Sequence, residues 1–363
     1  MLLETLGAYV ESERTRALPD GVMHHAKRAV IDWFAATYPG AVMAPNPNLR
    51  AALAEELGHG RAVVLPSGER APARTAAFLN GASSHTSEFD DIFRDAAYHP
   101  GSATVAAALA IAQAKGASGE TFLRAVIAGY EVSTRIALAL GRSHYARWHT
   151  TATISTFGAT CAAAVVLGLN ANQTAHAIAN AATMAAGLQQ AFRSGGMSKP
   201  LHGGHAAEAG VTCAMGAAQG VTGTLDVLDG EVGFGVVMSD GADWSKATAG
   251  LGEDYNIGRM TVKNHGCCGH TFAAIDAVLA LRAQHGLTPE NVASIHAATY
   301  APAIEIGNRP DPHTPTDCRF SIQYVMAHAL MHGSVRLAAF MPDHFEDPAL
   351  RAILPLITDS VDR

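Results

Sequence analysis

The 363-residue sequence predicts a mainly α protein, with a large all-helical domain over residues 1–255 and a smaller α/β domain over residues 256–363. Three observations lead to this prediction. The chain is longer than one small domain needs. Its first 250 residues are rich in Ala and Gly and place apolar residues at helical spacing. Near residue 255 the pattern changes to an alternation of strand-like and helix-like segments.

The helices predicted for the first domain follow one another without a convincing alternating strand. "VMHHAKRAVIDWFAATY" has helical periodicity. "ATVAAALAIAQAKG" ends at Gly116, a suitable C-cap, and "SGETFLRAVIAGYEVSTRIALAL" begins at Ser118, a suitable N-cap. The same pattern continues in "ARTAAFLNGASSHTSEF", "TISTFGATCAAAVVLGL", "NQTAHAIANAATMAAGLQQAF" and "HAAEAGVTCAMGAAQGV".

The second domain alternates between the two kinds of pattern. "YNIGRMTVK" is predicted as a strand and "TFAAIDAVLALRAQHG" as a helix. "TPENVASIHAATY" begins like a helix or a turn and continues as a β-like run, and "RFSIQYVMAHALMHG" is again helical. This alternation predicts a small α/β domain.

Composition excludes several classes of function. The 25 basic and 32 acidic residues give a net charge of −7, and no basic block indicates a nucleic-acid partner. The five Cys are odd in number and lack CxxC spacing, which favours reduced thiols in a cytoplasmic protein. The N-terminal segment lacks the order of a secretory signal, and no apolar run is expected to reach the length of a membrane span. We therefore expect a cytoplasmic protein that does not enter a membrane.

Four predicted junctions between a loop and a helix carry the chemically informative side chains. The stretch "SEFDDIFRDAAYHPGSAT" concentrates carboxylates before a His-Pro, in a chain that is only 16% charged. The other three junctions are "RWHTTATISTFGAT", "GGMSKPLHGGHAAEAG" and "VKNHGCCGHTFAAIDA". The candidate residues at the four junctions are Glu88, Asp90, Asp91 and His99; His149; Lys199, His202 and His205; and Lys263 and His270.

A helix N-terminus attracts an anion, because its N–H groups lack intrahelical partners and carry partial positive charge. Lys and His strengthen that preference for carboxylates, and His also transfers protons near neutral pH. Four such junctions predict a site for a small polycarboxylate. The alternative for any one junction is a helix cap or a packed histidine, and for the acidic stretch a solvated loop.

Neither a metal nor an organic cofactor is expected from the sequence. "HGGH", from His202 to His205, has i,i+3 spacing without an evident third ligand. There is no Walker loop and no strand-linked GxGxxG motif for a nucleotide.

The ordered motifs "SSHTSEFDD…HPGSAT", "WHTTATISTFGA", "MSKPLHGGHAAEAG", "KNHGCCGHTFAAIDA" and "RFSIQYVMAHAL" resemble the MmgE/PrpD family over nearly the whole chain. That family includes 2-methylcitrate dehydratase, cis-aconitate decarboxylase and iminodisuccinate epimerase. The resemblance implies a large helical domain with a smaller α/β lid and an active site between them. It also implies a homodimer that needs no metal or organic cofactor.

The resemblance also assigns roles to individual residues. The implied catalytic residues are His99, His149, Lys199, Asp91 and Glu88. The implied substrate-binding residues are Lys263, His202, His270, Tyr324 and Asp90. His99 would be the acid–base group, the acidic residues would orient it and its partners, and the two lysines would bind carboxylates. Glu88 stands where many members have Asp, Ile92 stands where a hydroxyl residue often follows, and family chains continue beyond "LPLITDSVDR".

The predicted reaction is a cofactor-independent dehydration of a 2-methylcitrate-like hydroxy polycarboxylate. Decarboxylation of the cis-aconitate type and epimerisation of the iminodisuccinate type are the alternatives, because all three develop charge beside a carboxylate. A hypothesis from another class is a truncated, non-catalytic paralogue that binds carboxylates or only dimerises.

Overall fold

The computed structural model describes residues 1–192 and 196–362, which divide into two compact units. The first unit contains Met1–Thr86 and, further along the chain, residues 90–191 and Gly196–Val262. The second unit contains Ser87–Phe89, Phe192 and the described residues from Lys263 onward. Most described residues are helical and the strands are few and short, so the predicted mainly α class is confirmed.

The first unit is built almost entirely from α-helices. In chain order its helices are α1 (Leu2–Ser12), α2 (Val22–Ala41), α3 (Asn46–Ala52), α4 (Ala73–Thr86), α5 (Gly101–Lys115), α6 (Gly119–Leu140), α7 (Arg142–Arg147), α8 (Thr150–Leu167), α9 (Ala171–Met184), α10 (Ser198–Ala218), α11 (Phe234–Met238) and α12 (Ser245–Thr248).

Local signals placed the ends of two of these helices correctly. Gly116 follows α5 in the left-handed conformation, with φ of 66°, which glycine adopts without a steric penalty. The Ser118 side chain accepts a hydrogen bond from the backbone N–H of Thr121, as the N-cap of α6. Both caps depend on neighbours within a few residues, so sequence alone was sufficient.

A short hairpin interrupts the helices of the first unit, where no strand was predicted. Strands β1 (Ala62–Val64) and β2 (Glu69–Ala71) pair antiparallel, with Val63 opposite Arg70. Asn80 on α4 donates to the Val63 carbonyl at 2.8 Å and accepts from the Leu65 N–H at 2.9 Å. A sheet of only two short strands leaves some backbone N–H and C=O groups without a partner strand. The Asn80 side chain supplies hydrogen bonds to two such groups at β1.

The predicted strand in "YNIGRMTVK" is wrong, because residues 256–259 form a 3₁₀ turn. The backbone N–H of Ile257 donates to the buried Glu131 carboxylate on α6 at 3.0 Å. Thr261 makes only an isolated bridge, to Ile92. A buried side chain from a distant helix therefore takes the hydrogen bond that a neighbouring strand would otherwise make.

Helix α8 is the central helix of the first unit and packs against α5, α6 and α10. At its crossing with α6, a Cβ on Gly129 would lie 2.5 Å from the Gly158 carbonyl oxygen. The two helices can therefore approach this closely only with glycine at that position. Their close contact removes nearly all of α8 from water.

The length and composition of α8 correct one expectation about apolar segments. It spans 18 residues with a mean hydropathy of 1.5, so within the described residues this helix meets the criteria for a membrane span. However, 89% of it is buried inside the protein. The core helix of a globular domain has the same length and composition.

A second close crossing joins α4 to α10. A Cβ on Gly203 would lie 2.9 Å from the Gly81 carbonyl oxygen and 3.2 Å from the Cβ of His85. Both glycines lie inside helices and do not form a turn. Because they lack a side chain, the two helix backbones can pack close together. The crossing brings His85 on α4 beside the first turns of α10, where His202 lies.

The second unit combines short helices with one pair of strands. Strand β3 (Ile295–Thr299) falls in the predicted β-like run and pairs in parallel with β4 (Ile357–Val361), Ile295 opposite Ile357. Its helices in the described residues are α13 (Phe272–His285), α14 (Ala301–Gly307), α15 (Pro315–Arg319), α16 (Ile322–His332), α17 (Pro342–Phe345) and α18 (Pro348–Arg351). Helices α13 and α16, both predicted from sequence, pack on each other.

Candidate functional site

Four histidines from four separate segments of the first unit form one cluster. His85 lies on the last turn of α4, His99 precedes α5, His149 is the N-cap residue of α8, and His202 lies in α10. The His85 and His149 rings stack at 5.4 Å, and the His85 and His99 rings meet edge to face at 5.2 Å. The His149 and His202 ring centroids are 5.1 Å apart. We call these four residues the histidine cluster.

His99 is held by backbone and side-chain hydrogen bonds on two sides. Its Nδ1 donates to the Asp91 carbonyl oxygen at 2.8 Å, and its backbone N–H donates to the Thr151 hydroxyl at 3.2 Å. Because a carbonyl oxygen only accepts, the proton of the neutral ring is on Nδ1 and the lone pair is on Nε2. The His99 side chain is 15% exposed, whereas the neighbouring Asp90 side chain is buried.

His85 is one of the site residues that sequence analysis missed. Its Nδ1 lies 2.7 Å from Asp90 Oδ2, and both side chains are buried. The same Asp90 oxygen lies 3.5 Å from Nδ1 of His99, so the negative charge of one carboxylate is close to two histidines. The spacing of His85 and Asp90, five residues apart across the end of a helix, was visible in "SSHTSEFDD", but nothing in that pattern distinguished it from a packed histidine.

The carboxyl group of Asp91 does not contact His99, although it was predicted to orient it. Asp91 Oδ1 accepts from the N–H of Gly101 at 3.1 Å, and Oδ2 accepts from the Tyr130 hydroxyl at 2.9 Å. Burial raises the pKa of Asp91 well above its ordinary value, and nearby Asp32 adds to this effect. Asp91 therefore anchors the start of α5, and only its carbonyl oxygen orients His99.

His149 and His202 share a short hydrogen bond between their Nδ1 atoms, 2.8 Å apart. Burial lowers the pKa of His149 well below its ordinary value, and the charges of His85, His202, Lys199 and His99 lower it further. Burial also lowers the pKa of His202 to about 4, with smaller contributions from His85 and Lys199. The pair is therefore neutral at pH 7, and one ring donates to the other.

Gly187 covers this pair of histidines. Its carbonyl oxygen accepts from the His149 N–H at 3.0 Å. Its φ is +152°, and a Cβ there would lie 2.1 Å from the Cβ of Ala152. Only glycine fits at this position, which the sequence pattern did not identify.

Lys199 is buried in the first turn of α10, and its charge acts on both His149 and His202. Lys199, His202 and His205 were predicted on a loop that enters a helix, but α10 already begins at Ser198. His205 lies one turn further along and contacts the Met184 carbonyl oxygen at 3.1 Å. The histidine cluster thus has Asp90 beside His85 and His99, and the positive charge of Lys199 near His149 and His202.

His85, Asp90 and His99 also offer potential metal-ligand atoms within 4.8 Å of one another. In this arrangement the Nδ1 protons of both rings are directed at oxygen atoms, at the distances given above. The Asp90 carboxylate therefore accepts a hydrogen bond from His85, and its negative charge lies 3.5 Å from His99 Nδ1, whose proton goes to the Asp91 carbonyl oxygen. This arrangement suits proton transfer, since an adjacent carboxylate stabilises the imidazolium form.

The remaining predicted residues belong to the second unit. Lys263 is buried, donates to the Glu88 carbonyl oxygen at 2.9 Å and lies 3.5 Å from its carboxylate. Glu88 itself has φ of 57°, a left-handed conformation that is uncommon for a residue with a side chain. His270 precedes α13, as predicted, and its Nδ1 lies 2.6 Å from the Tyr300 hydroxyl. A single site for His99, His149, Lys199 and Lys263 stays a prediction.

Tyr324 was predicted to bind substrate, but the structure gives it a different environment. The residue is buried in α16, and its hydroxyl donates to the Ala339 carbonyl oxygen. Burial raises the pKa of this hydroxyl above its ordinary value. The hydrogen bond ties α16 to the segment that follows it, and substrate binding by Tyr324 stays a prediction.

Comparisons with known proteins agree with the two-part organisation of the chain. Residues 4–247 match the family model described as the MmgE/PrpD N-terminal domain, and residues 265–363 match the MmgE/PrpD C-terminal domain. Human cis-aconitate decarboxylase is 30% identical over 305 residues, which cover 78% of this chain and 61% of the human protein.

Two further relatives have related names. The cis-aconitate decarboxylase-like protein oryM of Aspergillus oryzae is 27% identical over 365 residues, which cover 94% of this chain and 76% of the fungal protein. Mouse cis-aconitate decarboxylase is 25% identical over 380 residues, covering 97% of this chain and 74% of the mouse protein. The alignment with the human protein thus spans less than two thirds of that relative's length.

Proposed function

The chain belongs to the MmgE/PrpD family, and from this premise we propose that it is a lyase acting on a small polycarboxylate. The first candidate reaction is decarboxylation of a cis-aconitate-like substrate, supported by the names of the relatives. Dehydration of a 2-methylcitrate-like substrate, which sequence analysis placed first, becomes the second candidate.

The observation that carries this proposal is that Lys199 and the four residues of the histidine cluster form one group of side chains. His149 is the centre, because its ring contacts those of His85 and His202 and its Nδ1 is hydrogen-bonded to His202. The positive charge of Lys199 also acts on it. A substrate with several carboxylates would offset this concentration of donors and positive charge. Within the first unit this group therefore supports binding of an anion with more than one charged group.

Decarboxylation would break one carbon–carbon bond, release CO₂ and leave the electron pair of that bond on carbon. A proton must then be delivered to the carbanion, or to the atom to which its charge is delocalised. His99 is the best-suited donor, because the Asp90 carboxylate 3.5 Å away favours its imidazolium form. The proton would leave the ring from Nε2, since Nδ1 is held by the Asp91 carbonyl oxygen.

His149 and His202 would act as neutral hydrogen-bond donors beside the reacting group. Burial lowers the pKa of both residues, whereas His99 lies 3.5 Å from the Asp90 carboxylate, so the cluster contains histidines in two different environments. Lys199 would bind a carboxylate of the substrate, where its fixed charge also stabilises the developing negative charge. Lys263 and Glu88 stay candidates for substrate contact from the second unit.

The proposal is tested by offering the purified protein cis-aconitate, 2-methylcitrate, citrate and iminodisuccinate in deuterated water. NMR would follow each substrate, since decarboxylation places one deuterium on the product carbon and dehydration creates an alkene. We expect turnover of cis-aconitate or a close analogue, and its loss in Lys199→Ala. Turnover of 2-methylcitrate alone would reverse the order of the two reactions.

A non-catalytic carboxylate-binding protein is the alternative from another class. It would show saturable binding of the same acids by calorimetry without turnover of any. Absence of both binding and turnover would reject the polycarboxylate site altogether.

Homodimerisation and a cytoplasmic location are further parts of the proposal. The family resemblance supports the first, and the five buried free cysteines are consistent with a reducing compartment. Light scattering of the purified protein would measure its mass in solution.

A further inference from the structure

A second group of histidines lies in the second unit and shares no residue with the histidine cluster. His328 and His332 are one helical turn apart on α16, and His344 comes from α17. The His328 and His332 ring centroids are 4.4 Å apart, and His344 lies 5.2 Å and 5.1 Å from them respectively. One ligand nitrogen from each ring can be chosen such that all three lie within 4.8 Å of one another.

The distance between two of these nitrogens matches a tetrahedral metal site. Nε2 of His328 lies 3.2 Å from Nδ1 of His344. Zinc–nitrogen bonds of about 2.0–2.1 Å at a tetrahedral angle place two ligand nitrogens about 3.3 Å apart. In the metal-free structure His344 Nδ1 donates this hydrogen bond to His328 Nε2, so an ion would bind between the two rings once the His344 proton moves to Nε2. His332 would reach the ion by rotation of an exposed side chain.

The tautomer of His328 is also the one that a metal requires. Its Nδ1 donates to the Ser334 carbonyl oxygen at 2.7 Å, which leaves the lone pair on Nε2, facing His344. A backbone carbonyl that fixes the second ring nitrogen is the usual support for a histidine ligand. His328 is only 3% exposed, so its ring is held rigidly by the packing around it.

We propose that His328, His332 and His344 bind a divalent first-row transition-metal ion, with Zn²⁺ as the best match. Three imidazoles suit Zn²⁺, Co²⁺, Ni²⁺ or Cu²⁺ and do not suit Mg²⁺ or Ca²⁺, which prefer oxygen ligands. His332 is exposed, so water would be available as the fourth ligand of the tetrahedron. The ion would join α16 to α17 and stabilise the second unit.

The test uses the full-length protein after exhaustive chelation and dialysis. Zn²⁺ is titrated by calorimetry at pH 7.5, the melting temperature is measured with and without Zn²⁺, and Co²⁺ is added to read ligand number from its visible absorption. We expect tight Zn²⁺ binding, a rise in melting temperature and a tetrahedral Co²⁺ spectrum. His332→Gln should weaken the affinity at least about tenfold and abolish the thermal shift, because one of three ligands is lost.

Two further variants make the result specific. His285→Gln, at an exposed histidine at the end of α13, should bind Zn²⁺ as the unmodified chain does. His99→Gln should also leave this binding intact, because it alters only the histidine cluster. Binding that survives His332→Gln unchanged, or that disappears in His99→Gln, would overturn the proposal, as would absence of a Co²⁺ spectrum.

Discussion

The Nδ1 atoms of His149 and His202 lie 2.8 Å apart, so these two imidazoles share one hydrogen between them. If both rings were protonated, two N–H groups would face each other across this distance. Burial and the neighbouring positive charges already disfavour the first proton. The two rings are therefore uncharged, although they lie in a group of side chains that is suited to binding an anion.

Acid should destabilise the protein partly through this pair. The folded pKa of His202, about 4, lies below the ordinary value of 6.5, so the unfolded chain binds the proton first. Stability contributed by the neutral ring is present above pH 6.5 and is lost as the pH falls from 6.5 toward 4. Each such group contributes at most about 1.4 kcal/mol per pH unit over that window.

The variant His202→Asn tests this contribution. Asn can hydrogen-bond to His149 but does not titrate, so its free energy of unfolding should fall less steeply between pH 6.5 and 4 than that of the unmodified chain. Urea unfolding at several pH values measures the slope. His24→Asn, at an exposed histidine on α2, should retain the original slope; equal slopes for all three proteins would contradict the assignment.

Replacement of His99 by Asn should leave the fold intact and remove most of the turnover. Asn can donate to the Asp91 carbonyl oxygen but cannot deliver a proton, and loss of a general acid or base typically costs about 10²–10⁴ in rate. We expect kcat to fall by that factor while KM changes little. The measurement is steady-state kinetics with thermal melting as the control for folding, and a kcat within twofold of the unmodified chain would exclude His99 as the proton donor.

The two adjacent aspartates should behave differently when each is changed to Asn. Asp90 contacts His85 and lies 3.5 Å from His99, so Asp90→Asn removes the charge that favours protonated His99. The pH–rate profile should then shift to lower pH, because protonation of His99 requires a more acidic solution.

Asp91→Asn should leave the pH–rate profile in place, since the Asp91 carboxyl group contacts Tyr130 and the start of α5 instead. This variant should instead lower the stability of the fold. Asn has one oxygen acceptor, but its N–H₂ group would face one of the two buried donors that Asp91 now satisfies. We expect a loss of about 1–3 kcal/mol by urea unfolding. A shifted profile in this variant, with none in Asp90→Asn, would reverse the roles assigned to the two residues.

The helix crossing beneath the histidine cluster should tolerate no added methyl group. In Gly203→Ala the new Cβ would lie 2.9 Å from the Gly81 carbonyl oxygen, and overpacking of this kind costs about 1–3 kcal/mol. Activity should fall as well, since α4 and α10 carry His85 and His202. Gly119→Ala, where a Cβ meets nothing within 4 Å, is the control and should be neutral or slightly stabilising. Equal stability of the two variants would show that the crossing is not tightly packed.

The sequence by itself determined the mainly α class, the ends of α5 and α6 at Gly116 and Ser118, and the placement of His99 and His149 at helix starts. These features depend on groups within one or two helical turns of each other. Side-chain periodicity, glycine in the left-handed conformation and a serine cap all act at that range, so a pattern of neighbouring letters contains the needed information.

Only the tertiary structure decided which side chains meet. The partner of His85 is Asp90, the carboxyl group of Asp91 faces Tyr130, and the hydroxyl of Tyr324 is used by the backbone of its own unit. His328 and His332 have helical ligand spacing, yet the third histidine follows on another helix. These contacts depend on how far apart helices pack and at what rotation, which small residues such as Gly81 and Gly203 permit but do not specify from sequence alone.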